Sequence, residues 1–221
     1  MPDPTAAGPA VVRTIGHSTR SFDELVELLR SAGVRRVVDI RTVPRSRHNP
    51  QFDRATLPGA LAREGLDYRH APALGGLRRP ARDSSNTGWR NASFRGFADY
   101  MQTPTFERAI RDLVTEARST PLALLCAEAV PWRCHRSLVA DALLARGVSV
   151  LHILGAGSPS PHVRTPFAVV EGEQVRYPPV EVSDHPLESF GDARPPDAPP
   201  RASSSGAVRR RRPPAGAAGT E

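Results

Sequence analysis

Cysteine is scarce and lysine is absent: the chain of 221 residues holds two cysteines, and all 30 of its basic residues are arginine. Two cysteines are too few for a disulfide scaffold. No window approaches the roughly 18 consecutive apolar residues of a membrane span, and the opening MPDPTAAGPA has neither the basic start nor the apolar centre of a signal peptide. These absences predict a cytoplasmic protein with reduced thiols and no membrane partner. No internal repeat is visible, and the length suits one domain with a full core and is short for two.

The net charge of +7 favours acidic partners. An all-arginine basic set follows equally from a GC-rich genome, so its distribution carries more meaning than its total. Eleven arginines fall between Arg41 and Arg95 against Asp53, Glu64, Asp67 and Asp83, whereas six arginines and six acids balance from Glu181 onward. Any anion-binding surface is therefore expected in the folded part.

The periodic pattern runs from residue 11 to 153. VVRTIG reads as a buried strand, and SFDELVELLRSAG as a helix capped by Ser21, with Glu24 completing a capping box and Gly33 past its end. Arg35 to Ile40 reads as a second strand and LDYRH as a third, with a helix from Thr56 to Arg63 between them. Pro72 to Ser93 has turn chemistry and no period, and loops of that length are usually functional or disordered. Helices around 94–101 and 105–117, strand PLALLC, helix CHRSLVADALLARG and strand VSVLHIL follow. Strands alternating with helices predict an α/β domain, Rossmann-like, with three layers and a mostly parallel sheet. The expected organisation is a flexible N-terminus (1–10), one α/β domain (11–178) with a hairpin at 167–177, and a disordered Pro/Ala/Arg-rich tail (179–221) ending in Arg209 to Arg212.

In open α/β sheets the ligand crevice lies beyond the carboxyl ends of the strands. Those ends deliver His17 and Ser18, then Asp39, Arg41 and Ser46, then His70, then Cys126 and Glu128. Cys134, His135 and Arg136 open the following helix, whose unpaired N–H groups stabilise a thiolate or bind an oxyanion. Three chemistries fit: Cys134 as a nucleophile acidified by the helix start and by His135 or His17; zinc on both cysteines and a histidine, disfavoured because adjacent Cys134 and His135 tend to point apart and no CxxC knuckle is present; or acid–base work by Glu128 or Asp39 on a ligand held by Arg41 and Arg136. Each residue also has a plain structural explanation. Either cysteine serves as a small buried hydrophobe, Asp39 as an ion-pair partner of Arg41, and His17 as a core-edge histidine. His152 reads as structural, and Trp89 and Tyr100 as packing rather than base-stacking side chains.

TIGHSTRSFDELVELL, VVDIRTVPRSR followed by Phe52, DYRHAPALGG, FRGFADYM and LLCAEAVPWRCHRSLVADALLARGVSVLHI together resemble the bacterial and archaeal family known as domain of unknown function 488, over about residues 11–178. The resemblance places the family's motifs on Gly16, His17 and Ser18; on Asp39, Arg41, Pro44 and Ser46; on Leu74, Gly75 and Gly76; on Cys126 and Glu128; and on Cys134, His135 and Arg136. It implies an association with nucleotides or nucleic acids and no agreed reaction. Phe97 departs from the tyrosine common in the family, so a hydroxyl role there is lost.

The expectation is thus an enzyme acting on a nucleotide or nucleic-acid-derived anion, with Asp39, Glu128, Cys134 and His17 as catalytic candidates. Ser18, Arg41, Ser46, Gly75, Gly76, Cys126, His135 and Arg136 would bind the substrate. No metal or cofactor is required. The alternatives are a non-catalytic binding module and a Cys/His zinc or thiol redox site.

Overall fold

Short extended segments, four of them runs rich in valine, isoleucine and leucine, pair into one six-stranded sheet in the computed structural model, which describes residues 10–179. The strands are β1 (Val11–Gly16), β2 (Arg36–Asp39), β3 (Asp67–His70), β4 (Leu122–Cys126), β5 (Ser149–Ile153) and β6 (Ser160–Pro161), in the order β3-β2-β4-β1-β5-β6. The first five are parallel, and β6 runs antiparallel to β5 at the edge. β4 is buried at every residue, as a central parallel strand covered on both faces must be.

Helices cover both faces, giving the expected three-layer α/β arrangement. Five helices surround the sheet: α1 (Phe22–Ser31), α2 (Leu57–Arg63), α3 (Ala92–Tyr100), α4 (Pro104–Ala117) and α5 (Arg136–Leu144). Leu25 and Leu29 of α1 and Leu57 and Leu61 of α2 share one core with Ile15, Val37 and Leu125. Phe97, Phe106, Ile110 and Leu138 of α3, α4 and α5 share the other with Val12, Val38 and Leu124. A period of two along each strand sorts the site residues by face. Leu125 and Ile15 belong to the α1/α2 side, whereas Cys126 and Ile40 belong to the α5 side.

Ser21 caps α1 by accepting from the Glu24 amide, as its sequence predicts. α5 begins later than expected, at Arg136, because Pro131–Arg133 forms a 3-10 turn and Cys134 is extended. The hairpin near 167–177 forms as β7 (Val169–Glu171) and β8 (Gln174–Arg176). The expected N-terminal segment, the tail and the Arg209 to Arg212 run fall outside the described residues, save for Ala10 and Pro179.

A buried polar chain ties β1, β5 and α5 to the segment after β6. Asp141 accepts from His162 Nε2 at 2.9 Å, from the Thr165 amide and hydroxyl, and from the Tyr177 hydroxyl. His162 therefore accepts at Nδ1 from His152 Nε2 (3.0 Å), and His152 accepts at Nδ1 from the Thr14 hydroxyl (2.7 Å). Burial, reinforced by the neighbouring His162 and by the Arg136 charge, pushes His152 down to about 3. A neutral buried histidine makes stability acid-sensitive: below about pH 6.5 the unfolded chain takes up a proton that the folded one refuses until pH 3. The urea midpoint of the protein is expected to fall between pH 6.5 and 5, above the range where carboxylates titrate. His152→Asn should flatten that part of the profile, and an equally steep fall in the variant would refute the assignment.

Candidate active site

A cavity of about 430 Å³ opens at the carboxyl ends of β1, β2 and β4. His17, Arg41, Ser46, Gly76, Cys126, Glu128, Cys134 and His135 line it, so segments far apart in the chain do meet. Thr42, Arg45, Phe94 and Arg133 line it too; the sequence placed Arg45 after the second strand and Arg133 near the helix start but gave none of the four a catalytic or substrate-binding role.

The floor is a thiol pair. Cys126 closes β4 and Cys134 stands just before α5; both are buried, at 5% and 4% exposure, and both are free. Cys134 Sγ donates to Cys126 Sγ at 2.9 Å, and the Arg136 amide at the start of α5 points at Cys134 Sγ from 3.5 Å. Cys134 and His135 do not point apart, contrary to the sequence expectation. Cys134 is extended (φ −136°, ψ 143°) whereas His135 is already helical (φ −52°, ψ −15°), so the usual alternation of neighbouring side chains is broken. His135 Nδ1 lies 3.6 Å from Cys134 Sγ and 4.0 Å from Cys126 Sγ. Its Nε2 donates to the Ile40 carbonyl at 3.2 Å, which leaves Nδ1 as the basic nitrogen facing the sulfurs.

Charge on this pair is unequal. The Cys134 hydrogen bond, then His135 and the Arg136 charge, hold the Cys126 thiol well below its ordinary value against the opposing effect of burial. Cys134 is pushed up by its hydrogen bond to Cys126 and by burial. Arg136 is 1% exposed; its Nη2 donates to the carbonyls of Glu128 and Ala129, while Nε and Nη1 are buried without a partner among the described residues. Burial pulls its own affinity for a proton down, and a neighbouring anion at the thiol pair offsets that cost. Cys126 Sγ, Cys134 Sγ and a His135 nitrogen lie within 4.8 Å of one another, a spacing a soft cation could use, but the Arg136 charge beside them opposes a further positive ion.

The remaining sequence candidates take different places. Asp39 is wholly buried, does not line the cavity, and spends both oxygens on Arg41 Nε (2.9 Å) and Nη2 (2.6 Å), on the Arg41 amide and on the Tyr68 hydroxyl. Burial and that carboxylate raise the Tyr68 phenol. Arg41 also donates to the Phe52 carbonyl and, from Nη1, to His17 Nε2, so its fork is already filled. His17 stacks on Phe52 with ring centres 4.5 Å apart and donates from Nδ1 to the Ser18 carbonyl; burial, with the Arg41 charge, lowers its pKa. Ser18 sits in the left-handed region at φ 47° and lines no part of the cavity. His70 donates to the Arg41 carbonyl, again away from the cavity.

Glycines allow the close approaches. Gly76 packs on the His135 ring, where a Cβ would collide, and Gly75 packs on Thr42. Glu128 is exposed at the rim, and among the described residues its carboxylate has no ion-pair partner; Arg136 takes its carbonyl instead. Arg45 and Arg133 are likewise exposed at the wall, with no carboxylate partner among the described residues. Which arginines remain available depends on long-range pairing, so no local signal could have separated Arg45 and Arg133 from Arg41 and Arg136. Trp89 and Tyr100 are packing residues: Trp89 lies against Phe94, Phe167 and Tyr177, and Tyr100 lies under the Arg78 guanidinium.

A family model described as "Domain of unknown function DUF488" matches residues 21–143, more than half of the chain. This chain belongs to that family. No curated protein and no solved structure matches it. In this DUF488 member the matched segment carries the thiol pair, His135, Asp39 and Arg41, while His17 and Ser18 lie just before it. No helix among the described residues is long and apolar enough to cross a membrane.

Proposed function

We propose that this protein is an enzyme acting on a nucleotide or nucleic-acid-derived anion, with a cysteine thiolate as nucleophile. One observation carries the reading: a buried thiol pair with a histidine nitrogen beside it forms the floor of a cavity whose wall holds two arginines with no carboxylate partner among the described residues. The sequence pointed to Cys134, but the hydrogen bond that Cys134 Sγ donates to Cys126 Sγ favours Cys126 as the attacking sulfur and Cys134 as its donor. Arg45 and Arg133 then take the role first assigned to Arg41 and Arg136, gripping the anionic group. Phe94, Leu77 and Val43 supply apolar surface for a base or sugar. Glu128, at the rim and without an ion-pair partner among the described residues, would protonate a leaving group. Asp39, Arg41 and His17 support this floor from the α1/α2 side.

Binding and turnover of a panel of nucleoside phosphates test the reading. Arg45→Ala and Arg133→Ala should each weaken nucleotide binding about ten- to a hundredfold, the worth of a charge-assisted hydrogen bond. Glu128→Gln should keep binding and lower turnover about 10²–10⁴-fold, and Cys126→Ser should stop it. A non-catalytic binding module would show the arginine effects alone, with no turnover in any form. Failure of every nucleotide to shield Cys126 from iodoacetamide would rule out both.

A further inference from the structure

We infer that Cys126 and Cys134 are a two-electron dithiol–disulfide couple that reduces peroxides, Cys126 attacking and Cys134 resolving. The inference rests on the reading of Cys126 as the attacking sulfur of the cavity floor and adds a second activity to it. Two features of the geometry support it. The sulfurs already stand 2.9 Å apart, less than 1 Å beyond the roughly 2.05 Å of a disulfide, and Cys134 belongs to the extended junction between a 3-10 turn and α5 rather than to the helix itself. A basic nitrogen, His135 Nδ1, stands 3.6 Å from the sulfur that must lose a proton, and the Ile40 carbonyl fixes the ring in that tautomer. Neither cysteine is more than 5% exposed, so an oxidant must be small and must enter through the cavity.

The steps balance. The Cys126 thiolate attacks one peroxide oxygen; the S–O bond forms, the O–O bond breaks, and the departing alkoxide or hydroxide takes a proton from solvent. His135 Nδ1 then accepts the Cys134 proton, the Cys134 sulfur attacks Cys126, the S–S bond forms, and hydroxide leaves with that proton as water. The pair loses two electrons, the peroxide gains them, and an external dithiol resets the couple.

Because the chain has two cysteines, every thiol readout can be assigned. The reduced full-length protein is treated with one equivalent of hydrogen peroxide, and its peptides are mapped without reduction. The expected product is an intramolecular Cys126–Cys134 disulfide that dithiothreitol reverses. Cys134→Ser should accumulate a dimedone-trappable sulfenic acid at Cys126, and Cys126→Ser should leave Cys134 unreacted. The inference falls if the sulfenic acid appears on Cys134 or if cross-linked chains form instead. It falls equally if both thiols of the unaltered protein ignore peroxide, or if one zinc per chain must be stripped before they react. Nucleotide binding is measured separately, so a disulfide without nucleotide protection would sink the substrate reading alone, and nucleotide turnover without a disulfide would sink this one.

Discussion

Asp39→Asn is expected to cost about 3–5 kcal/mol of folding stability, the usual price of leaving one half of a buried ion pair uncompensated. Asp39 is fully buried and Arg41 nearly so, at 6% exposure, and the two meet through paired contacts from Nε and Nη2. The amide removes the charge while leaving the Arg41 guanidinium in place between Phe52 and His17. It also substitutes an NH₂ donor for an oxygen that accepts from Arg41 or from Tyr68. Tyr68→Phe, which removes one donor from the same carboxylate, should cost only about 1 kcal/mol. The double change Asp39→Leu with Arg41→Met should recover much of the loss, because a buried pair replaced by packed apolar groups is often neutral. Urea denaturation of the three variants reads these differences. A loss under about 1 kcal/mol in Asp39→Asn would show that the pair does not hold the floor of the β2 loop.

That expectation marks where the sequence was informative and where it was not. Four of the five parallel strands are legible as short runs of β-branched or leucine residues bounded by turn chemistry, and β3 (Asp-Tyr-Arg-His) as the extended piece that follows a helix; their alternation with helices leaves few other architectures. β6 is invisible to the same reading: it is two residues long, includes Pro161, and exists only through its register with Leu151 and His152. The rule that strand ends face the ligand crevice gathered His17, Arg41, Cys126 and Glu128, and all four line one cavity. It could not rank them, because period-two alternation at a strand end turns on a single residue. Asp39 belongs to the α1/α2 side with Arg41 and Tyr68, while the next residue, Ile40, packs on the α5 side and offers its carbonyl to His135. Conformation at one junction decides the thiol geometry as well. An extended Cys134 followed by a helical His135 brings together side chains that neighbours in one regular element would separate.

Gly16→Ala is expected to be the most damaging single-methyl change in the site, destabilising the protein by at least about 3 kcal/mol. A Cβ on Gly16 would overlap the Glu128 carbonyl oxygen and carbon, which are backbone atoms that cannot rotate away. The collision follows from how β1 and β4 leave the sheet together: the amides of His17 and Ser18 donate to the carbonyls of Cys126 and Ala127, drawing the two exits into contact. The Glu128 carbonyl is in turn held by Arg136, so the strain would pass to the guanidinium beneath the thiols. Relief requires the 127–129 segment to move outward, which would carry Glu128 away from Cys126 and open the cavity floor. The variant should therefore show two effects, a lowered urea midpoint and faster alkylation of Cys126. Gly59→Ala, on α2 where a Cβ meets nothing within 4 Å, serves as the control and should leave both unchanged or slightly raise stability. If Gly16→Ala matched that control, the two strand exits could not be packed as closely as the site requires.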